Sequence, residues 1–185
     1  GRITMDTSAL GGLLEQVFGE IDVDASSLHE LGMTPAAAAM DKDSETYWSS
    51  ARRGADDAQW LSLDLGKAMR IKSFAGLSSP FYAELFPAAF QIQVSNDEKV
   101  WTTVASENDF KVAESTWTRW SFPEQNIRYI RMYITRSRQN QDNDLFYAQV
   151  AEVALNGEEN ALVRNSSTSY YGMAYPSKNM TDKKP

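Results

Sequence analysis

Short stretches in which apolar and polar residues alternate run through the middle of the 185-residue chain. Residues 60–65 place three leucines on one face of an extended strand, and residues 130–134 do the same with Ile130, Met132 and Ile134. A period of two puts neighbouring side chains on opposite faces of a sheet, so each stretch buries one face. Eight such segments predict an all-β sandwich: 21–26, 60–65, 71–77, 90–95, 101–105, 117–122, 128–135 and 150–155.

Turn-forming clusters separate these segments. Residues 95–99 and 123–126 carry the Ser, Asn, Asp and Pro residues expected between antiparallel strands, so we expect short turns there. Three longer loops remain: 41–59, 78–89 and 136–149. The five tryptophans are expected to pack in the core or against the sheets: Trp48, Trp60, Trp101, Trp117 and Trp120.

The chain divides into one full domain, residues 21–157, and two flanking segments. Residues 1–20 are expected to be an N-terminal extension or the remnant of a preceding module, with a short helical segment where apolar positions in 8–18 follow a helical period. Residues 158–185 are expected to be a linker and the truncated start of a second copy. A constant shift aligns four identical pairs: Ser26 with Ser167, Pro35 with Pro176, Asp41 with Asp182 and Lys42 with Lys183.

The composition argues against several classes of function. Lys and Arg number 18 against 25 Asp and Glu, a net charge of −7 that gives no positive footprint for nucleic acid. With no Cys there is no disulfide, thiolate metal site or Cys nucleophile, and we expect the single His, His29, to be an ordinary loop residue. No stretch is long and apolar enough to span a bilayer, and the negative charge argues against binding to anionic membranes.

An acidic segment in the first long loop offers oxygen ligands for a hard cation. Asp41, Asp43, Glu45 and Thr46 place three carboxylates and a hydroxyl close together in the sequence. Ca²⁺ takes six to eight such oxygens, although the spacing is not that of an EF-hand. From the residues alone, a calcium site and a solvated acidic turn both remain open.

Several segments, in order, resemble the discoidin family, also called the coagulation factor V/VIII C-type domains. Residues 39–48 (AMDKDSETYW) followed by 59–66 (QWLSLDLG) are similar to the family's first loop and strand. Residues 90–97 resemble its central hairpin, 128–132 its penultimate core strand, and 151–155 its closing strand. The resemblance implies a jelly-roll β-sandwich of the galactose-binding type.

The lack of a terminal Cys pair makes the chain similar to the bacterial branch of the family, carbohydrate-binding module family thirty-two. That branch consists of non-catalytic appendages of secreted glycoside hydrolases. The resemblance therefore implies weak glycan binding without enzymatic activity, a secreted or cell-surface location, and neighbouring modules in the same polypeptide. Loop carboxylates such as Asp56 and Asp142 are expected to be solvated rather than to form a glycosidase pair. The alternative is an adhesion module that binds a protein or membrane through the apolar loop tip at 81–86.

The resemblance also implies a structural Ca²⁺ that ties the first loop to the last strand. Its ligands would be the carbonyl of Ala38, the side chain of Asp41, the carbonyl of Asp43, both oxygens of Thr46, the carbonyl of Ala151 and the side chain of Glu152.

Sugar recognition needs an aromatic ring for the apolar face of a pyranose, together with planar donors and acceptors for its hydroxyls. In the resembled family the stacking aromatic lies just before the closing strand, where Phe146 and Tyr147 fall. Residues 49–50 are serines where galactose binders carry a His, and residues 80–82 replace a frequent Arg, so a more apolar ligand surface is expected. The predicted ligand-binding residues are Arg52, Arg53, Phe81, Tyr82, Arg136, Arg138, Asn143, Phe146 and Tyr147, with Tyr47, Phe86 and Asn140 as further candidates.

Overall fold

The computed structural model describes residues 16–162. Its strands are β1 (Asp22–Ala25), β2 (Trp48–Ser49), β3 (Gln59–Leu77), β4 (Ala89–Ser95), β5 (Thr102–Glu107), β6 (Trp117–Arg136), β7 (Arg138–Gln139), β8 (Phe146–Tyr147), β9 (Gln149–Val150) and β10 (Glu152–Leu155). Two short 3-10 helices span Ala36–Met40 and Ala83–Leu85, and residues 159–162 are helical. Within this part of the chain no helix has the length and apolar character needed to cross a membrane.

The predictions for the two ends of the chain fall largely outside the described residues. Of the N-terminal extension, residues 16–20 have no regular secondary structure, and the rest of the predicted helical segment lies outside. The predicted second copy lies outside beyond residue 162.

The two longest strands, β3 and β6, belong to both layers of the sandwich. They pair antiparallel, and their register breaks between Asp64 and Met69 and again between Ile71 and Ser73. At the first break Gly66 has a φ of 84°, a conformation that glycine adopts without steric cost. Such irregularities bend a strand and increase its twist, so each long strand passes from one layer to the other.

The first layer has the strand order β1-β3-β6-β4-β5. The second layer contains the other halves of β3 and β6, with β10 on the far side of β3. The predicted all-β jelly-roll sandwich of the galactose-binding type is confirmed.

Four of the predicted short strands are in fact halves of the two long ones. Residues 60–65 and 71–77 both lie in β3, and the predicted turn at 123–126 is wrong because those residues are inside β6. Pro123 falls where β6 carries extra residues opposite Ile71 to Ser73, a bulge in which the missing N–H of proline breaks no ladder hydrogen bond. The last predicted strand divides at a bend at Ala151.

The core lies between the two layers. The leucines of residues 60–65 and the apolar residues of 130–134 face inward, each at most 3% exposed. Trp48 is fully buried, and Trp120 packs among the rings of Phe86 and Phe90. The other three tryptophans are half-buried: Trp60, Trp101 and Trp117.

Both ends of β3 lie at the same end of the sandwich. The side chain of Gln59 accepts a hydrogen bond from Ser27, and the Ser27 carbonyl accepts one from the Trp48 indole. Trp48 pairs with Val150, and the N–H of the next residue, Ala151, donates to the carbonyl of Leu77. Both ends of β6 lie there too, since Ile134 pairs with Gln59 and Trp117 with Leu77. The segments that lead into and out of these strands therefore converge at one end, which we call the loop end. It comprises residues 26–58, 78–88, 108–116 and 137–151. The opposite end holds the bend at Gly66 and, as predicted, the turn that follows Ser95.

Candidate functional site

The first loop gathers a group of oxygen atoms around Thr46. Its Oγ1 lies 2.5 Å from Asp41 Oδ2, 3.1 Å from the Asp43 carbonyl oxygen and 3.4 Å from that of Ala38. Ala38 belongs to a 3-10 helix, and a positive φ of 64° at Lys42 turns the chain after that helix. Four residues of the expected calcium set thus bring their oxygens to one place.

Glu152, the first residue of β10, brings a buried carboxylate to the same loop. It is 2% exposed, and its Oε2 accepts a hydrogen bond of 3.0 Å from the Lys42 backbone N–H. Its Oε1 has no hydrogen-bond partner among residues 16–162. Burial above all, with the nearby charges of Asp41 and Asp43, raises the pKa of Glu152 to about 9, against the weaker opposing effect of the Lys42 N–H. Such a raised pKa is typical of a buried carboxylate that lacks a compensating cation.

Ala151 lies directly before Glu152, and its N–H donates to the carbonyl oxygen of Leu77 at 2.8 Å. Only two of the expected calcium ligands are carboxylate side chains. Consistently, no group of three or more His, Asp or Glu side chains suited to a metal occurs between residues 16 and 162. A donor set of carbonyl, hydroxyl and a few carboxylate oxygens is the kind that Ca²⁺ accepts, and the unpaired Oε1 of Glu152 fits such an ion.

A second group of side chains at the loop end is aromatic. The ring of Tyr47 lies 6.2 Å from that of Phe81, which is 62% exposed. Burial raises the pKa of Tyr47, and the neighbouring Tyr82 raises it further. The Oγ of Ser79 accepts hydrogen bonds of 3.2 Å from the backbone N–H groups of Phe81 and Tyr82, which fixes this turn. We call Tyr47, Phe81 and Tyr82 the loop-end aromatic cluster.

A cleft of about 490 Å³ opens beside Tyr47. Met33, Thr34 and Pro35 form one side, and Met33 is 79% exposed. The Oγ1 of Thr34 is buried without a hydrogen-bond partner in the described chain. These three residues are absent from the predicted site, because a short loop around the turn at Gly32 has no periodicity from which a cleft could be predicted.

Two of the predicted arginines are held by separate ion pairs. Arg136 lies 3.5 Å from the carboxylate of Asp56, and both side chains are more than half exposed. Arg138 donates to Asp109 at 3.1 Å and to the carbonyl oxygen of Phe110 at 2.6 Å. Arg138 therefore connects β7 to the segment before β6.

Arg52 and Arg53 follow the buried serines of the first loop. The Arg52 backbone N–H donates to the Glu30 carboxylate at 3.1 Å, and its guanidinium lies 4.0 Å from the same group. Arg53 forms a β-bridge with Phe146, so these two predicted residues do come together. Asn143 is exposed in the turn between β7 and β8.

Tyr147 offers little of its ring to a ligand. It is 6% exposed and stacks on His29 with the ring centroids 5.3 Å apart. His29 is half-buried in a loop, as expected for an ordinary loop residue. The fold thus groups the predicted residues into Phe81 with Tyr82, and Arg53 with Phe146, while the ring of Tyr147 is engaged elsewhere.

Three solved structures share this fold, each with a TM-score of 0.58. Chitosan-binding module 2 of a chitosanase/glucanase from Paenibacillus sp. IK-5, in complex with chitotriose, is 24% identical, and the match covers 74% of this chain and 95% of that one. The family 32 module of Clostridium perfringens NanJ, in complex with galactose, is 22% identical, with 73% and 92% covered. The CBM32 of AlyQ, in complex with 4,5-unsaturated mannuronic acid, is 21% identical, with 77% and 99% covered. A search of curated proteins found no match.

Each of these three similar structures is a carbohydrate-binding module. The family model of the F5/8 type C domain matches residues 22–153, almost the whole of the predicted domain. The resemblance drawn from the first loop and the closing strand is therefore confirmed: the chain belongs to the F5/8 type C domain family.

Proposed function

We propose that this chain is a non-catalytic carbohydrate-binding module of a larger, secreted or cell-surface bacterial protein that acts on glycans. The observation that carries the proposal is the loop-end aromatic cluster, in which Phe81 stands 62% exposed next to Tyr47. Exposed aromatic rings pack against the apolar face of a pyranose. The similar modules, whose ligands are chitotriose, galactose and an unsaturated mannuronic acid, support a sugar as the ligand class.

The ligand surface is more apolar than a galactose site with a His would be. Ser49 and Ser50, which stand where such a His would be expected, are at most 1% exposed. The Ser50 hydroxyl donates to the Ala51 carbonyl at 2.8 Å and accepts from the Ala148 N–H at 3.0 Å, so it is occupied. We infer that the sugar stacks on Phe81 and does not depend on a polar contact at Ser50.

The Arg53 and Phe146 pair extends this surface. The 3-10 helix that follows Tyr82 packs against β7, which pairs with β8 and so with Phe146. The exposed Arg52 and Asn143 lie on the same group of loops, and the exposed Arg136 is the last residue of β6 beside them. These three side chains would supply hydrogen bonds to a longer glycan. One stacked ring hides on the order of 100 Å² of apolar surface, worth about 2.5 kcal/mol, and two or three hydroxyl hydrogen bonds add about 1 kcal/mol each. Dissociation constants of roughly millimolar to high micromolar follow from this sum.

We also propose that the first loop holds a structural Ca²⁺. Asp41, Thr46 and Glu152 would bind through side-chain oxygens, and Ala38, Asp43 and Ala151 through carbonyl oxygens. The unpaired buried Oε1 of Glu152 and the oxygens gathered at Thr46 support this assignment. When bound, the ion supplies positive charge to the loop. Because Tyr47 follows Thr46 directly, a fixed loop also fixes one ring of the aromatic cluster.

Binding to a glycan array, followed by calorimetry on the best ligand, tests the proposal. We expect Phe81→Ala to weaken binding about tenfold or more, in line with the loss of one stacked ring. Val17→Ala is the matched control, since Val17 is 78% exposed but lies before β1, outside the loop end. Unfolding temperatures of both variants should equal that of the parent.

Two results would contradict the proposal. One is full binding by a Tyr47→Ala, Phe81→Ala double variant that remains folded. The other is turnover of a glycan that a single Asp→Asn change at Asp56 or Asp142 abolishes.

A further inference from the structure

The outer face of the first layer holds a cleft of about 300 Å³ close to the bend. Trp60 and Ser62 line it. Leu61 and Leu63 point into the core, so the residues that alternate with them face outward. Asp22 pairs with Asp64 beside the bend, so the cleft lies toward the end opposite the loop end. We call it the sheet-face cleft.

Two half-buried tryptophans, Trp60 and Trp101, form the apolar part of the sheet-face cleft. Neither indole N–H donates a hydrogen bond to any residue in the range 16–162. In contrast, the indole N–H of Trp48 donates to the Ser27 carbonyl and that of Trp120 to the Glu107 carboxylate. The cleft therefore presents aromatic surface together with two unused donors.

Carboxylates form the polar part of the cleft. Those of Asp22, Asp24 and Glu98 have no ion-pair partner within the described residues, while Asp64 is held by Arg128 at 2.8 and 3.1 Å. The cleft thus carries uncompensated negative charge.

The one positive side chain that lines the cleft, within residues 16–162, is already engaged. The guanidinium of Arg131 lies 3.9 Å from the centre of the Trp101 ring and 4.6 Å from that of Tyr133. Its Nε donates to Gln93 Oε1 at 2.8 Å. Arg131 therefore stiffens one wall and leaves Asp22 and Asp24 free to pair with a cationic ligand.

We propose that the sheet-face cleft is a second ligand site, which binds oligosaccharides with free amino groups. An ammonium group matches the unpaired carboxylates, and hydroxyl oxygens of the same ligand accept from the two indole N–H groups. A lysine side chain of a protein partner meets only the first requirement, because it has no acceptor. The cleft volume is at the lower end of the range for ligand pockets, which suits a short sugar segment.

The test uses the β-1,4-linked trimer of glucosamine, with its fully N-acetylated form as the matched uncharged probe. We expect NMR titration of the glucosamine trimer to shift the indole N–H signals of Trp60 and Trp101. Asp24→Asn should weaken binding of this trimer about fivefold, the size of one partly exposed charge pair, and Asp22→Asn should act similarly. Glu124→Gln, an exposed acid in the bend of β6, is the control and should leave binding unchanged.

Phe81→Ala distinguishes the two sites. It removes a ring of the loop-end site and should leave the signal shifts of Trp60 and Trp101 intact. Stationary indole signals would overturn the sheet-face proposal without touching the loop-end one. Equal binding of the N-acetylated trimer at these tryptophans, or unaltered affinity after the Asp22 and Asp24 changes, would also overturn it. Tighter binding of a Lys-rich peptide than of the trimer would assign the cleft to a protein partner and refute the sugar assignment.

Discussion

The pKa of Glu152 makes the stability of the metal-free protein depend on pH in a direction opposite to that of an ordinary ion-paired carboxylate. Burial raises this pKa from 4.5 to about 9. Between these two pH values the folded state keeps a proton that the unfolded state has lost. The contribution of Glu152 to the free energy of unfolding is therefore fully present below about pH 4.5 and declines up to about pH 9. By pH 7 the loss amounts to about 3 kcal/mol, at 1.36 kcal/mol per pH unit.

We expect the proposed Ca²⁺ to reverse this dependence. A divalent ion at Asp41 and Glu152 would replace the proton, so its binding should strengthen as pH rises. At a concentration of about 100 times the dissociation constant the ion adds about 2.7 kcal/mol, which corresponds to a rise of roughly 5–10 °C in the unfolding temperature. We expect a large increment at about pH 8.5 and a small one at about pH 5.5.

Thermal unfolding followed by tryptophan fluorescence, in chelator or in excess calcium, measures both increments. Glu152→Gln removes the titrating group, so it should flatten the pH dependence of the metal-free protein and remove most of the calcium increment. Glu45→Gln is the matched control, because Glu45 is an exposed acid of the same loop outside the proposed ligand set. An increment that is equal at the two pH values, or that survives in Glu152→Gln, would refute the reasoning.

Three substitutions in the sandwich test other contacts by denaturant unfolding. Gly76→Ala puts a Cβ 3.0 Å from the buried Phe86 ring and should cost about 1–3 kcal/mol; an unchanged midpoint would show that the ring moves freely. Gly66→Ala meets no atom within 4 Å but forces a φ of 84° on alanine, so about 1 kcal/mol is expected from backbone strain alone, and no loss would show that the bend relaxes. Asp64→Asn should cost up to about 1 kcal/mol at neutral pH and progressively less as the pH falls below 3.8, the ordinary pKa of the group. Arg128 holds the pKa of Asp64 below its ordinary value, so that contribution disappears as the carboxylate is protonated; an equal cost at neutral and acidic pH would contradict this.

The sequence predicts features that are decided by neighbouring residues, and it does not predict features that depend on contacts between distant parts of the chain. Alternation in residues 60–65 identifies the buried face, because burial of every second side chain is decided within the strand. The continuity of β3 through Gly66 cannot be predicted from such a local pattern. A glycine and polar residues suggest a turn, and only the pairing of β3 with β6 on both sides of the break shows that the strand continues. Pro123 likewise suggests a turn, but it lies inside β6, where a bulge accommodates it.

The same distinction applies to the sites. Asp41, Asp43 and Thr46 are close in sequence, so their convergence is predictable from one loop. Glu152 reaches that loop only because β10 pairs with the end of β3, a long-range register that no local pattern contains. The stacking of Tyr147 on His29 is equally non-local, and it covers a ring that the sequence places among the candidate ligand contacts.

The bend in β3 explains why the two proposed ligand sites lie apart. Because β3 returns to the end from which it starts, its flanking loops meet there, and the outward residues of its first half remain on an open sheet face. The loop end depends on segments that a bound ion would order, whereas the sheet-face cleft is built on paired strands whose side chains are fixed by register. A glycan at the proposed Phe81 site would therefore contact loops, and one at the proposed Trp60 site would contact paired strands. Differences in calcium dependence between the two sites would follow directly from this division.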